Sequence, residues 1–490
     1  MPKTRTRVYV LYTGGTIGMV PLDRDNPASP LVPASKEELL QHVPGLGEEE
    51  GIAWDIAGLT DEAGGQLPPL DSSDVAAPHW RAMARAIEAV YDDYDGFVVL
   101  HGTDTMAYTC SALSFLLHNL AKPVVVTGSQ LPISSLRTDG KLNFVNALYI
   151  AGYRATGLPP VPEVTLCFAD GLFRGNRLTK VSTTALQGFD SPNFPRLGNL
   201  GEHIVIDESA LSAPVDNSQY PFYADTNLDE DVIDFGLYPG IRSELVEQIF
   251  RLPSVKGAIL RTFGAGNAPN DDAFLEAIGT AVKNNKVIVN VTACIEGAVE
   301  AGRYAASSGL LERGVLSGLD MTAEAALTKL MWLLGTETEL SEIRSQMQIN
   351  QRGEQSGSLF DIQYRTGRGN PLTLTETPPG SFRKAALQRA VVRVRECRVE
   401  GAREDDPVKV KLFVNYPSAT WQTPERDAHF GTLFEGAYRQ EEGLQFLADI
   451  TPTVRRVVED GRAITLTLAA DTGGNVSVEG GMYLALFAQG

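Results

Sequence analysis

Two parallel-sheet α/β domains followed by an all-β sandwich is the fold class that this 490-residue chain predicts, and three observations carry it. Through the first part of the chain short apolar runs alternate with amphipathic stretches, the pattern of βα units around a parallel sheet. Between Leu197 and Pro239 that pattern dissolves into Asn, Asp, Pro and Ser, which suits a connection, and then it resumes. Beyond Arg365 the texture turns to period-two alternation rich in Val and Thr, broken by Asp, Pro and Gly clusters. The expected boundaries are 1–210 for an N-terminal α/β domain, 211–240 for a linker, 241–365 for a smaller α/β domain and 366–490 for the all-β extension.

The elements follow in order. Strands are expected at Val8 to Tyr12, Gly96 to Leu100, Pro123 to Thr127 and Val164 to Phe168, with crossover helices at Pro78 to Tyr91, Thr105 to Leu117 and Asp139 to Ala151. In the second domain Gly257 to Leu260 and Val287 to Val291 read as strands. Ser243 to Arg251, Asp271 to Asn284, Thr322 to Leu334 and Ser341 to Gln348 read as helices. In the extension, Val391 to Val399, Val408 to Val414 and Ile464 to Leu468 alternate as strands do.

Composition narrows the function. Hydrophobic residues make up 43% and charged residues 21%, the balance of ordinary globular protein. Lys and Arg number 42 against 61 Asp and Glu, a formal charge of -19. This disfavours attraction to phosphate backbones and anionic lipid, so neither nucleic acid nor membrane is an expected partner. Cys110, Cys167, Cys294 and Cys397 lie far apart and read as reduced thiols of a cytoplasmic protein. Met1 to Arg5 lead directly into an apolar strand rather than a signal-type apolar segment, and no uncharged run reaches about 18 residues, so neither secretion nor a membrane span is expected.

In a parallel sheet the loops leaving the carboxyl ends of the strands form the ligand crevice. Three are unusually polar. Thr13-Gly14-Gly15-Thr16-Ile17-Gly18 either is a tight strand-to-helix turn or presents Thr16 at a loop whose glycines admit close backbone approach. It lacks the Lys-Ser/Thr ending of a P-loop. In His101-Gly102-Thr103-Asp104-Thr105 a hydroxyl and a carboxylate stand side by side; either could cap the next helix, and together they suit a nucleophile or a water-orienting group. In Gly175-Asn176-Arg177-Leu178-Thr179-Lys180 the lysine is a solvated charge or, desolvated beside a threonine, a base. Asp71-Ser72-Ser73-Asp74 opens a helix, and capping accounts for part of it. No HExxH-type metal spacing and no GxSxG elbow occurs.

Tyr12-Thr13-Gly14-Gly15-Thr16-Ile17-Gly18-Met19, Leu100-His101-Gly102-Thr103-Asp104-Thr105-Met106-Ala107-Tyr108 and Val126-Thr127-Gly128-Ser129-Gln130-Leu131-Pro132 resemble the signatures of bacterial-type L-asparaginases. The fit is nearest the cytoplasmic type I branch, which shares stretches like Gly264-Ala265-Gly266-Asn267-Ala268-Pro269 and Asp320-Met321-Thr322, and it spans residues 5 to 355. The resemblance implies two α/β domains of the asparaginase type, the first catalytic, that hydrolyse L-asparagine to aspartate and ammonia through a threonine acyl-enzyme. It implies no metal and no organic cofactor, and a homodimer or homotetramer. Carried over by position, Thr16 matches the primary nucleophile, and Thr103, Asp104 and Lys180 the second catalytic group. Gly15, Ser72, Ser73, Thr103 and Asp104 match positions that hold the substrate.

Thr179, Arg261 and Cys294 match an effector site of some type I members; alternatively, Cys294 is a buried small side chain and Arg261 a structural ion-pair partner. One departure stands out: the family's lid tyrosine, which helps to activate the nucleophile, has no counterpart in Val20 to Pro33, where Leu31 or a neighbour takes its place. In the extension, Val408 to Asn415, His429 to Thr432 and Ile464 to Leu468 resemble the C-terminal β-sandwich of tyrosinases and polyphenol oxidases. That region carries no catalytic constellation and reads as a module for stability, oligomerisation or covering the active site. Two other functions fit the same signatures: an amidotransferase-type amidase acting on another amide, and a binder of asparagine or aspartate that has lost turnover.

Overall fold

The computed structural model describes residues 6–23, 26, 29–41, 51–299, 305–361, 368–369, 372–376, 387–438, 443–459, 463–478 and 482–488. They form two compact units, residues 1–347 with 351–355, and residues 348–350 with 356–490.

The first unit is built on an eight-stranded sheet. Its strands run in the order Ile204–Ile206, Gly198–Leu200, Gly171–Arg174, Val164–Phe168, Val124–Thr127, Gly96–Leu100, Thr6–Tyr12 and Ile52–Gly58. The last five are mutually parallel. The first three continue the sheet antiparallel, a feature the expected parallel sheet did not include. Only Ala169 and Asp170 separate Phe168 from Gly171, and Ala169 takes a positive φ of 51°. Two residues suffice for a hairpin turn, whereas a parallel return needs a crossover of a dozen or more.

Both faces of the central strands are covered, so they read as unbroken apolar runs. Alternate residues divide between two cores. Phe97 and Val99 pack with Met106, Phe115 and Leu116 on one face, while Val98 and Leu100 pack with Val8, Val10, Phe144 and Leu148 on the other. Helices Ala77–Ala89, Met106–Leu116 and Gly140–Ala151 supply these layers.

A second, four-stranded sheet is wholly parallel, in the order Val232–Gly236, Gly257–Thr262, Val287–Thr292 and Leu316–Ser317. Its first strand lies inside the stretch 211–240 that reads as a linker. It is a half-buried edge with Asp234 at its centre, so no apolar run announces it. Helix Ala323–Thr336 joins the two sheets into one core, with Leu330 and Leu333 among the residues of the first domain and Trp332 stacked on Phe115 at 5.7 Å between centroids.

The second unit pairs a six-stranded and a four-stranded sheet, and among the described residues every strand pair in it is antiparallel. Val392, Val394 and Leu484 from one sheet share a core with Val410, Leu412, Leu466 and Leu468 from the other, which makes it a sandwich. It is β-rich rather than all-β, because helix Thr451–Glu459 adds Val454 and Val457 to the same core. Its strand Gly357–Asp361 falls within the range 241–365 assigned by sequence to the α/β domain.

Candidate active site

The loop after the first strand is shaped by two glycines with positive φ, Gly14 at 115° and Gly15 at 83°. A Cβ on Gly14 would lie 2.2 Å from Leu70 O, and one on Gly15 would lie 2.1 Å from Gly102 N. Backbone therefore stacks on backbone here, which only glycine permits. Hydrogen bonds hold the arrangement: Gly15 N donates to Leu70 O (2.9 Å), Leu70 N to Thr13 O (2.8 Å) and Thr13 N to Leu100 O (3.0 Å). Thr16 follows at once, half-buried at the start of a short 3-10 turn, Thr16–Gly18.

Across this contact stands the loop His101–Thr105. A Cβ on Gly102 would lie 2.6 Å from Ser72 Oγ, so this glycine too is a requirement of close approach. Ser72 is buried and ties the segments together: its Oγ accepts from Asp104 N at 3.2 Å, and its carbonyl accepts from Thr105 Oγ1 at 2.6 Å. Ser73 is exposed and donates to Asp71 Oδ1, the residue that caps this turn.

Lys180 lies in the short antiparallel ladder Thr179–Lys180 with Phe189–Asp190, rather than in a loop leaving a parallel strand. Its Nζ donates to Thr103 Oγ1 at 2.8 Å and to Asp104 Oδ1 at 2.7 Å. The lysine side chain is 17% exposed and that of Asp104 65%. The structure thus joins Thr103, Asp104 and Lys180 directly, and brings Gly15 and Ser72 against the same loop. Thr16 is one residue from the Gly15–Gly102 contact.

His101 underpins this loop and was not singled out as a site residue. Its Nδ1 lies 2.7 Å from Gly102 O, Thr109 Oγ1 lies 3.0 Å from its Nε2, and Trp80 Nε1 donates to Thr109 Oγ1 at 2.9 Å. The carbonyl can only accept, so the proton sits on Nδ1 and Nε2 accepts from Thr109. Complete burial, the dominant cause, lowers the His101 pKa to about 4, against its bond to Gly102. The ring is neutral and orients the Gly102–Thr103 peptide.

A third loop, Gly128–Leu131, is clamped by Asp139. Its Oδ2 accepts from Gln130 N and its Oδ1 from Leu131 N, each at 3.0 Å. Gln130 Nε2 then reaches Ala185 O at 2.8 Å, linking this loop to the hairpin that carries Lys180.

The three residues expected at an effector site are distributed. Thr179 Oγ1 donates to Glu324 Oε1 at 2.6 Å. Arg261 Nε donates to Asp234 Oδ1 at 2.9 Å. Cys294 is exposed rather than buried, and its backbone N–H bonds Thr292 Oγ1. Arg261 and Cys294 stand at the carboxyl ends of adjacent parallel strands. Sequence reading missed Glu324, which accepts from Thr179, Asp234, which accepts from Arg261, and Tyr108, whose phenol feels both carboxylates. Burial chiefly, then Glu324, pushes the Tyr108 phenol up to about 12, and burial raises Glu324 and Asp234 above the usual carboxylate range. The signal available was Tyr108 at the end of the second signature.

The hairpin Met19–Pro21 with Leu31–Pro33 follows Gly18 and places Leu31 opposite Pro21, 49% exposed. Among the described residues no helix is long and apolar enough to cross a membrane.

Residues 7–211 match the family model described as asparaginase, N-terminal, and residues 231–347 the glutaminase/asparaginase C-terminal domain. The chain is 43% identical over 347 residues to L-asparaginase 1 of Escherichia coli strain K12, spanning 71% of this chain and 97% of that protein. It is 36% identical over 411 residues to the human 60 kDa lysophospholipase, spanning 80% of this chain and 69% of that one. Among solved structures, L-asparaginase I of Vibrio cholerae superposes with a TM-score of 0.62 at 39% identity, over 72% of this chain and 99% of that one.

Proposed function

The chain belongs to the L-asparaginase family and is an amidohydrolase, and from that premise we propose that it converts L-asparagine to L-aspartate and ammonia through an acyl-enzyme on Thr16. The observation that carries this reading is Lys180 Nζ within hydrogen-bond reach of both Thr103 Oγ1 and Asp104 Oδ1, beside the Gly15–Gly102 contact.

In the first step Thr16 Oγ attacks the side-chain amide carbon, its proton passes to the departing nitrogen, and the C–N bond breaks to release ammonia. In the second, water attacks the ester, its proton moves through the Thr103 hydroxyl to Lys180 in its neutral amine form, and Lys180 returns a proton to Thr16 Oγ as the C–O bond to Thr16 breaks. Asp104 pairs the ammonium that this transfer forms, so that it is not an unpaired charge in a largely buried position. Backbone N–H groups of the glycine loop and of Thr103 serve the oxyanion, and the His101 bond to Gly102 O turns that peptide so that the Thr103 N–H points the opposite way. Ser72, Ser73 and Asp104 hold the α-carboxylate and α-amino groups, and Gly15 and Thr103 complete the substrate site.

Thr179, Arg261 and Cys294 are assigned to an effector site. The chain is placed in the cytoplasm as a homodimer or homotetramer. In the extension the three stretches that resemble the tyrosinase-type sandwich fall on Pro407–Val414, Phe430–Ala437 and Ile464–Ala470, neighbouring strands of one sheet, which supports that resemblance.

Ammonia release from L-asparagine and L-glutamine by the purified chain tests the reading. Release from asparagine that falls at least about 100-fold in Thr16→Ala is the expected result. Full activity in that variant removes Thr16 from the mechanism. No release with aspartate binding retained makes the chain a binder.

A further inference from the structure

We propose that Arg177 is a positioning residue for catalysis, seating the strand that carries Lys180 on a buried segment, Gln351–Gln355, and on Asp320. The inference rests on the reading of Lys180 as the proton acceptor.

Lys180 comes to Thr103 on a long flexible stem, so its approach depends on where the backbone before it is fixed. Arg177, three residues earlier, is 1% exposed. Its Nη1 donates to Glu354 O at 2.8 Å, and its Nη2 to Asn193 O at 2.6 Å and Asp320 Oδ2 at 2.7 Å. A planar guanidinium that meets three acceptors admits one orientation, which a lysine could not reproduce. Its neighbour Asn176 donates Nδ2 to Arg352 O at 3.0 Å. Gly353 completes the contact: with φ of +79°, a Cβ there would lie 2.5 Å from Arg174 Nη1.

The seat is itself rigid. The Glu354 carboxylate accepts from Gln351 N at 3.0 Å, from Arg352 N at 2.7 Å and from Lys329 Nζ at 2.5 Å. Both side chains of the Lys329–Glu354 pair are 0% exposed. A buried ion pair is weak evidence for stability, because desolvating two charges offsets their attraction; a role in fixing geometry is the better-supported reading here. Thr179 is held in turn by Glu324. Three of the four residues preceding Lys180 are thus fastened to residues 320–354, which lie far along the chain. A displacement of about 1 Å at a reacting group costs on the order of 100-fold in rate.

The experiment measures kcat, KM for L-asparagine, the pH profile of kcat and the thermal midpoint of the full chain. Arg177→Met is expected to lower kcat roughly 10- to 100-fold with KM changed less than about threefold, and to displace the pH limb that Lys180→Met abolishes. Arg177→Lys, which keeps a cation for Asp320, is expected to recover part of kcat. Ile278→Val, a core change in the second sheet domain, is expected to lower the midpoint while leaving kcat and the pH profile as in wild type. If Arg177→Met does not fold, Asn176→Ala and Arg177→Lys carry the same test with smaller drops. A folded variant with wild-type kcat and pH profile overturns the proposal. Full activity in Lys180→Met overturns instead the reading on which it rests.

Discussion

Gly15 and Gly102 meet backbone to backbone: a Cβ added to Gly15 would fall 2.2 Å from the Cα of Gly102. This contact sets the distance between the loop that carries Thr16 and the loop that carries Thr103 and Asp104. Gly15→Ala meets both this clash and a φ of 83°, so the loops must part. Loss of at least about 100-fold in kcat/KM for asparagine is expected. Gly102→Ala meets chiefly Ser72 instead, its Oγ at 2.6 Å and its Cβ at 2.7 Å, with Gly15 Cα at 3.0 Å, so Ser72 is displaced. Its main effect is expected on KM, and steady-state kinetics of the two variants side by side decide the matter.

Thr103, Asp104 and Lys180 act as one relay in the proposed mechanism, so their losses do not add. Thr103→Val and Lys180→Met are each expected to lose at least about 100-fold in kcat, and the double variant little more than the worse single one. Additive losses in a double-mutant cycle would separate the two groups.

His101 makes stability depend on pH. Its value falls from 6.5 unfolded to about 4 folded, mainly through burial. Between those values the unfolded chain binds a proton that the native chain refuses. The native state is therefore fully favoured above pH 6.5 and loses ground as pH falls toward about 4, by about 3 kcal/mol in total. Urea midpoints measured across this window should fall with pH, and His101→Gln should flatten the slope. An unchanged slope would place the acid sensitivity elsewhere.

On the resemblance to the asparaginase family, Leu31 or a neighbour stands where the lid tyrosine is expected, and Leu31 is 49% exposed on a paired strand. Leu31→Tyr adds a hydroxyl at little cost in packing, since exposed substitutions rarely shift stability much. A rise of roughly tenfold in kcat for asparagine is expected if that hydroxyl is what the chain lacks. Unchanged kcat in a folded variant would show that Thr16 is activated by another group.

Much of the frame was legible along the chain. Strand Gly96–Leu100 and helix Ser243–Arg251 lie where the apolar spacing puts them, because both answer to local periodicity. Strand Val232–Gly236 and helix Thr451–Glu459 were missed. The first is a short edge with a carboxylate at its centre, and the second is a short helix within a run of strands, so neither carried a periodicity that its surroundings supported. The antiparallel strand Gly171–Arg174 was missed because its direction depends on a two-residue turn rather than on its own composition.

By itself the sequence determined the α/β repeat, the glycines that close loops require and the residue types of the candidate site, since each is written locally in spacing or in a short motif. Only the tertiary structure decided which of them meet. Lys180 touches Thr103 across 77 positions, and Arg177 rests on Glu354 across 177. The first contact depends on the ladder of Thr179–Lys180 with Phe189–Asp190, the second on helix Ala323–Thr336, whose Lys329 pairs with Glu354, and no local pattern encodes either choice.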